Sequence, residues 1–301
     1  MKLEIPINLG GWWRPALSRC SVESEVHRLT DVLLCRPSHL APIPCCSVTQ
    51  ESLRNGFRVS IDEALAQHAA LQAVLERHGV RCHLLPPDEQ LPDMCFTRDA
   101  VVTTPWGLIT LRPAAAHRQG EAGHALRFAR SLGAPLAAKV RRGTVEGGDI
   151  AVVRPGLVIV GCSGERTDEV GAEAVAEIFR AQGWDVLIYP FDPHFLHLDT
   201  QFSMVGRNLA LACTDVLDDR FVHRLGVYGI ELIPVKYKEA RQLGCNVLAL
   251  GDGVVISSAA NERINAELRD RGFTIEALHI DQFTQCGGGV HCLTMPLSRR
   301  A

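Results

Sequence analysis

The sequence contains no apolar run that approaches the roughly 18 residues a membrane-spanning helix needs. Its first residues, MKLEIPINLGGWWRP, lack the continuous apolar core of a secretory signal peptide. Net charge is also small, because 31 basic and 34 acidic residues leave −3 at neutral pH. So small a net charge gives no electrostatic reason to expect nucleic acid or an anionic membrane as partner. We therefore expect a cytoplasmic protein that binds neither.

Cysteine is abundant, but its spacing matches no common metal or redox motif, since the sequence has eleven cysteines and no C-x-x-C pair. An odd count without an export signal indicates reduced thiols. Cys45 and Cys46 are adjacent, which suits neither a zinc knuckle nor an unstrained disulfide. Most cysteines are therefore expected to be small core residues. Cys292, which follows three glycines and a histidine, needs a separate explanation.

Several catalytic signatures are missing as well. There is no G-x-S-x-G nucleophile elbow and no G-x-G-x-x-G fingerprint, which argues against a serine hydrolase and a dinucleotide site. His194, His197 and Asp199 have a spacing that a metal could use, but no strong fourth ligand accompanies them. We therefore expect neither a metal nor an organic cofactor.

The sequence does contain a repeat. Pairs of short apolar runs, such as DAVVTT-PW-GLITL and DIAVV-RPG-LVIVG, are each followed by an amphipathic helix and a further strand. The first strands begin near 98, 150, 201 and 246, at spacings of about 45–52 residues. A fifth unit combines DVLLCRP, a helix over 61–78, a strand over 80–85 and a closing strand near 292–296. Five ββαβ units predict an α/β propeller that forms one domain over 1–301, whereas a doubly wound sheet would alternate single strands with helices.

Polar residues occupy matching places in these units, at or just before a first strand. Equivalent positions of a radial array face one axis, so we expect Asp99, Glu146, His197, Asp199 and Cys292 to converge. Cysteine is a nucleophile, histidine carries protons, and glutamate can orient and polarise the histidine. The two aspartates add negative charge that suits a planar guanidinium. Such a cation beside the cysteine would lower the pKa of the thiol.

The motifs FTRDA, EGGD, HLDTQFS and GGGVHCLTMPL, in this order, resemble those of the guanidino-group modifying enzymes. These include arginine deiminases, dimethylarginine dimethylaminohydrolases and arginine amidinotransferases. The resemblance implies the pentein fold, a five-bladed propeller, and a covalent amidino-cysteine mechanism without metal or cofactor. It also implies that Cys292 is the nucleophile, His197 the general acid/base and Glu146 its partner, while Asp99 and Asp199 hold guanidinium nitrogens.

The resemblance further implies that Arg166 binds the substrate α-carboxylate, and that Arg112 or Arg118 supplies a second carboxylate contact. Dimethylarginine hydrolases typically lack the aspartate found here as Asp199, and amidinotransferases carry aspartate at the position of Glu146. Both features favour hydrolysis of a guanidinium with free nitrogens, as in an arginine deiminase, although the helical insertion of those enzymes is missing. The alternatives are amidino transfer to an amine, dimethylarginine hydrolysis, and a propeller that only binds partners. A homodimer is compatible with each.

Overall fold

The computed structural model describes residues 20–301, so the stretch MKLEIPINLGGWWRP lies outside the described residues. Within them the strands form five three-stranded sheets. The first sheet contains, in spatial order, β15 (Met295–Arg300), β1 (Arg28–Cys35) and β2 (Arg81–Leu85). The second contains β3 (Val101–Thr104), β4 (Gly107–Thr110) and β5 (Leu136–Lys139), and the third contains β6 (Ile150–Arg154), β7 (Leu157–Cys162) and β8 (Asp185–Pro190). The fourth contains β9 (Phe202–Gly206), β10 (Leu209–Ala212) and β11 (Glu231–Pro234), and the fifth contains β12 (Leu248–Gly251), β13 (Val254–Ser258) and β14 (Thr274–Leu278).

Each sheet has the same topology. Its middle strand pairs antiparallel with one neighbour and parallel with the other, as β7 does with β6 and β8. A helix makes the crossover between the two parallel strands, as such a connection requires. The crossover helices are α2 (Ile61–Arg77), α3 (Glu121–Ser131), α4 (Glu169–Arg180), α5 (Asp219–Val227) and α7 (Glu262–Asp270), and the shorter helices are α1 (Ser47–Arg54), α6 (Tyr237–Ala240) and α8 (Asp281–Thr284).

The sheets close into a ring. Strand β3 contacts β15, β1 contacts β12, and β9 contacts both β12 and β6. The remaining junction, between the β3 and β6 sheets, is made by a bridge between Arg112 and Val145. The prediction of a five-bladed α/β propeller of the pentein type is therefore confirmed. The closing strand is longer and later than expected, at Met295–Arg300 instead of 292–296, because the residues from Thr294 back to Val290 form a turn held by the Thr294 hydroxyl.

Helix α4 shows how the crossover helices form. Asp168 caps it by accepting a hydrogen bond from the Gly171 amide, and Ala172, Val175 and Phe179 form a buried stripe at helical spacing. Burying a side chain as large as Phe179 contributes about 1.5–3 kcal/mol. Thr167, just before the cap, does not cap the helix itself, because its hydroxyl donates to Asp149.

The helix predicted over 61–78 is α2, and Ser60 caps it because its hydroxyl accepts from the Glu63 amide. The Glu63 carboxylate does not complete a capping box, because it accepts from Gln282. Across residues 20–301, the structure has no helix whose length and apolar content would suit a membrane crossing.

Candidate active site

Three short 3₁₀ turns carry the polar motifs to the axis of the ring. They span Thr97–Asp99, Gly147–Asp149 and Leu198–Thr200, and each lies directly before the first strand of its unit. The turns pack tightly, since a Cβ on Gly148 would lie 2.7 Å from the Nδ1 atom of His197. Glycine is required there because any side chain would displace the imidazole.

His197 and Glu146 form the pair that was expected. The imidazole Nε2 lies 2.7 Å from a carboxylate oxygen of Glu146, and both side chains are almost completely buried. Glu146 is fixed by the Ala114 amide at 2.9 Å and by Arg166 at 3.2 Å. Burial disfavours the imidazolium, but the negative charges of Asp99 and Glu146 outweigh it and raise the pKa of His197 to about 10. The ring is therefore protonated at neutral pH.

Asp99 lies beside this pair and is held on both oxygens. One oxygen accepts from the Gly148 amide at 2.9 Å and the other from Arg118 at 2.7 Å. The guanidinium of Arg118 also donates to Glu121 and to the Phe96 carbonyl, so most of its donors are satisfied within the protein. Arg118 thus positions Asp99 in this structure.

Cys292 lies between an amide and a carboxylate. Its Sγ accepts from the Asn246 amide at 3.1 Å and donates to Asp199 at 3.5 Å. Asp199 in turn accepts from His291 at 2.8 Å, which together with its charge keeps the pKa of Asp199 below the ordinary value despite burial. Burial and the charges of Asp199 and Asp99 raise the pKa of Cys292 well above that of a free thiol. The free protein therefore holds a neutral thiol in a site rich in negative charge.

Asp99, Arg118, His197 and Cys292 line one narrow pocket with about 20 Å³ of open space. That is little more than one water molecule needs, so the walls must separate to admit a larger molecule. Two polar atoms in this region are buried without a partner, Asp199 Oδ1 and His197 Nδ1. A buried polar atom without a partner costs free energy, which a ligand with N–H donors would recover. The pocket is lined by Cys45, Cys46, Asp93, Phe96, Asp99, Arg118, Arg166, Leu196, His197, Cys286, Gly287, Gly288 and Cys292.

Seven of the eight predicted residues meet at this pocket. Asp99, His197, Cys292, Arg118 and Arg166 line it, while Glu146 contacts His197 and Asp199 contacts Cys292.

Arg112 lies outside the pocket, exposed, with its guanidinium on the carbonyl of Arg141. His194, which has a metal-ligand spacing with His197 and Asp199 in the sequence, also lies elsewhere and contacts the Tyr237 hydroxyl. That metal site is therefore not assembled.

A second acidic group could hold a metal only at a cost. Single ligand atoms of Asp99, Glu146 and His197 lie within 4.8 Å of one another. Arg118 already lies 2.7 Å from Asp99 and 3.8 Å from Glu146, and Arg166 also contacts Glu146. A divalent ion at this point would meet two guanidinium charges and the charge of a protonated His197, so the arrangement does not suit a metal.

Sequence reasoning missed three residues that shape the site. Asn246 donates to the sulfur of Cys292, and its equivalent position before β12 was the available signal. Asp149, the last residue of EGGD, accepts from the Leu198 amide at 2.8 Å and so fixes the turn after His197. Burial raises the pKa of Asp149 to about 7. Asp93 lines the pocket, but nothing in its sequence context distinguishes it from a surface acid.

Comparison with known proteins gives a consistent result. Residues 46–299 match the model of a family described as N,N dimethylarginine dimethylhydrolase, eukaryotic. The uncharacterized protein YkgA of Bacillus subtilis strain 168 is 30% identical over 278 residues, which cover 92% of this chain and 94% of that protein. An arginine deiminase of Mycobacterium tuberculosis strain H37Rv is 26% identical, over 87% of this chain and 71% of the relative.

Solved structures share the fold. Dimethylarginine dimethylaminohydrolase from Pseudomonas aeruginosa, a cysteine-to-serine mutant complexed with citrulline, superposes with a TM-score of 0.75 at 23% identity, over 89% of this chain and 99% of that one. The N-terminal domain of ArgZ, a substrate-bound arginine dihydrolase of cyanobacteria, gives 0.77 at 20% identity, over 89% and 98%. The chain belongs to the N,N-dimethylarginine dimethylhydrolase family, within the guanidino-group modifying enzymes of the pentein fold.

Proposed function

We propose that this protein hydrolyses a carbon–nitrogen bond in the guanidinium of arginine or a close relative, through a covalent amidino intermediate on Cys292. The observation that carries the proposal is the buried thiol of Cys292 beside the carboxylate of Asp199, whose Oδ1 has no partner. A guanidinium would satisfy that oxygen and balance the local negative charge. Family membership supports the reaction class, since guanidino-group hydrolases of the dimethylarginine hydrolase and arginine deiminase type share this fold.

Substrate binding would activate the nucleophile. Asp199 and Asp99 help to raise the pKa of Cys292, after burial itself. A guanidinium between them brings a positive charge next to Sγ and so lowers the pKa of the thiol. The thiolate thus forms when substrate binds, which limits side reactions of the free protein.

The histidine then serves both halves of the reaction. Sγ attacks the central guanidinium carbon, and His197 passes the proton on Nδ1 to the departing nitrogen as the C–N bond breaks. The neutral imidazole next takes a proton from water, which attacks the same carbon, and the S–C bond breaks to return the thiolate. Nε2 stays on Glu146 throughout, which leaves Nδ1, the nitrogen without a partner, to exchange protons with the substrate and water.

The α-carboxylate and the α-ammonium group of an amino-acid substrate would each meet an opposite charge at the pocket wall. Arg166 lines the pocket, and two of its nitrogens already contact Glu146 and the Cys45 carbonyl. A substrate carboxylate suits its guanidinium fork. Asp93 lines the same pocket and suits a substrate ammonium group. Arginine carries both groups, whereas agmatine lacks the carboxylate.

We expect arginine to yield citrulline and ammonia, with kcat/KM higher than for asymmetric dimethylarginine by roughly ten- to a hundredfold. A dimethylated nitrogen has no N–H for a carboxylate oxygen, and losing one hydrogen bond to a buried charge costs about 1.5–3 kcal/mol. Product analysis with each substrate measures this, with and without glycine or ornithine as acceptor. An amidino product on the added amine would instead support transfer.

The variant Asp199→Ala tests the cause of this selectivity. It should lower kcat/KM for arginine and reduce the ratio of kcat/KM for arginine to kcat/KM for asymmetric dimethylarginine. Asp215→Ala, at an exposed acid whose carboxylate holds the Tyr237 amide, is the matched control. A wild-type protein that prefers the dimethylated substrate would show that Asp199 does not hold a guanidinium nitrogen.

Arg166→Ala should raise KM for arginine by about tenfold or more, because a charged hydrogen bond to the substrate carboxylate is worth roughly 1.5–3 kcal/mol. Agmatine turnover should change much less. Arg112→Ala is the matched control, since this arginine lies outside the pocket on the Arg141 carbonyl. An equal loss of kcat/KM for arginine and agmatine would indicate that Arg166 holds Glu146 and does not bind the substrate carboxylate.

A further inference from the structure

A second cluster of ligating side chains lies at the wall of the pocket. Cys45 precedes α1, Asp93 precedes the first 3₁₀ turn, and His117 lies in a short 3₁₀ turn over Ala116–Arg118. One ligand atom from each lies within 4.8 Å of the other two. The proposed reaction uses neither the thiol of Cys45 nor the imidazole of His117.

The cluster has the chemistry of a zinc site. We propose that Cys45, Asp93 and His117 bind one zinc-class divalent ion, with a fourth position open to water. Sulfur, oxygen and nitrogen are the three zinc ligand types. A thiolate, a carboxylate and a neutral imidazole sum to −2, which a divalent ion neutralises.

The distances suit this assignment after a small adjustment. Tetrahedral zinc with bonds of 2.0–2.3 Å separates its ligand atoms by roughly 3.3–3.8 Å. The Nε2 of His117 and Oδ2 of Asp93 are 2.7 Å apart, joined by a hydrogen bond. A metal would replace that shared proton and push the two atoms slightly apart, while the Cys45 sulfur already lies within 4.8 Å of both. Asp93 is buried and the other two are half-buried, so the site is reachable from solvent.

The competing interpretation is that Asp93 and His117 are only an ion pair. A simple ion pair has no need of the thiol, yet Cys45 lies in the same cluster and Cys46 and Cys286 line the same pocket. Arg166 is a neighbouring positive charge that donates to the Cys45 carbonyl at 2.9 Å and would weaken cation binding. The adjacent pair of cysteines gave no zinc motif in sequence, because the partners of Cys45 come from two other segments of the chain.

Zinc bound at this site would change how the pocket binds substrate. Cys45 and Asp93 both line it, so zinc would tie two walls together and remove the carboxylate that we assign to the substrate ammonium. Zinc would therefore inhibit by competing with an amino-acid substrate. This consequence rests on the proposed function, whereas metal binding itself does not.

The test measures zinc and cobalt(II) binding to the full-length chain carrying Cys292→Ser, which removes the catalytic thiol as an alternative ligand. We expect one zinc per chain by calorimetry, and a thiolate-to-cobalt charge-transfer absorption in the near ultraviolet. Adding Cys45→Ser or His117→Asn should weaken zinc binding at least tenfold. Even the loss of a residue that only supports a metal ligand typically lowers metal affinity roughly 10- to 100-fold. Asparagine retains a hydrogen-bond donor for Asp93 without the imidazole ligand.

Matched controls separate this site from adventitious thiols. Cys82→Ser changes another half-buried thiol, which lies on β2. His124→Asn changes a histidine on α3 that pairs with Asp88. Neither should alter zinc affinity. No stoichiometric binding in the Cys292→Ser protein, or equal effects from controls and ligand variants, would overturn the site. Zinc binding without any competition against substrate would leave the site standing and would contradict only the assignment of Asp93 to the substrate ammonium.

Discussion

Cys292→Ser is expected to lower kcat by at least about 10⁴-fold while substrate binding survives. A neutral hydroxyl attacks a resonance-stabilised guanidinium poorly, and removal of a catalytic nucleophile commonly costs this much or more. The geometry around Sγ should persist, because serine keeps a group that Asn246 can donate to and that can donate to Asp199. Steady-state kinetics and calorimetric titration with arginine measure the two quantities.

The same mechanism predicts a trapped intermediate. Wild-type protein quenched during turnover should carry an added amidino mass on the peptide that contains Cys292. The control is Cys82→Ser, whose thiol lies on β2 with the Val80 carbonyl as its contact, and which should retain activity. Full activity in Cys292→Ser would exclude covalent catalysis at this residue.

His197→Gln should lower kcat by about 10²- to 10⁴-fold, the usual contribution of a general acid–base group. The raised pKa, about 10, keeps a proton on the ring for the departing nitrogen, and glutamine has none to give. Rapid-quench kinetics should show that formation and hydrolysis of the adduct both slow down. Glu146→Gln should act in the same direction, because it removes the charge that supports the imidazolium.

The control for His197 is its neighbour in sequence. His194→Gln changes an exposed ring that contacts Tyr237 and should leave kcat nearly unchanged. The opposite pattern, with chelators abolishing activity and His197→Gln remaining active, would replace the acid–base role with a catalytic metal. A chelator that raises activity would agree with inhibitory zinc at Cys45.

The ring was predictable because its signals are local. Hairpin turns such as Pro155–Gly156, apolar strand pairs and capped helices recur along the chain, and the repeat alone places equivalent residues at one axis. Five site residues followed from that symmetry, and the structure brings them together. Their roles came from chemistry and family resemblance, because strand spacing says nothing about which acid supports the histidine.

Residues that depend on distant partners could not be predicted. Arg112 and Arg118 look alike in sequence, but only Arg118 meets Asp99, Glu121 and the Phe96 carbonyl. Asn246 acts through the sulfur of a residue 46 positions away. Apart from the contact with Glu121, these contacts join residues 19 to 46 positions apart, so no local pattern reports them.

The pairing of β15 with β1 has a consequence for synthesis. Of the five site residues Cys292 comes last along the chain, and β15, which follows it, joins the ring by pairing with β1. At translation rates of 5–20 residues per second, Asp99 is made roughly 10–40 seconds before Cys292. A nascent chain therefore carries the acids and the histidine for some time without Cys292. The full set of five residues comes together only once β15 has been made and can pair with β1.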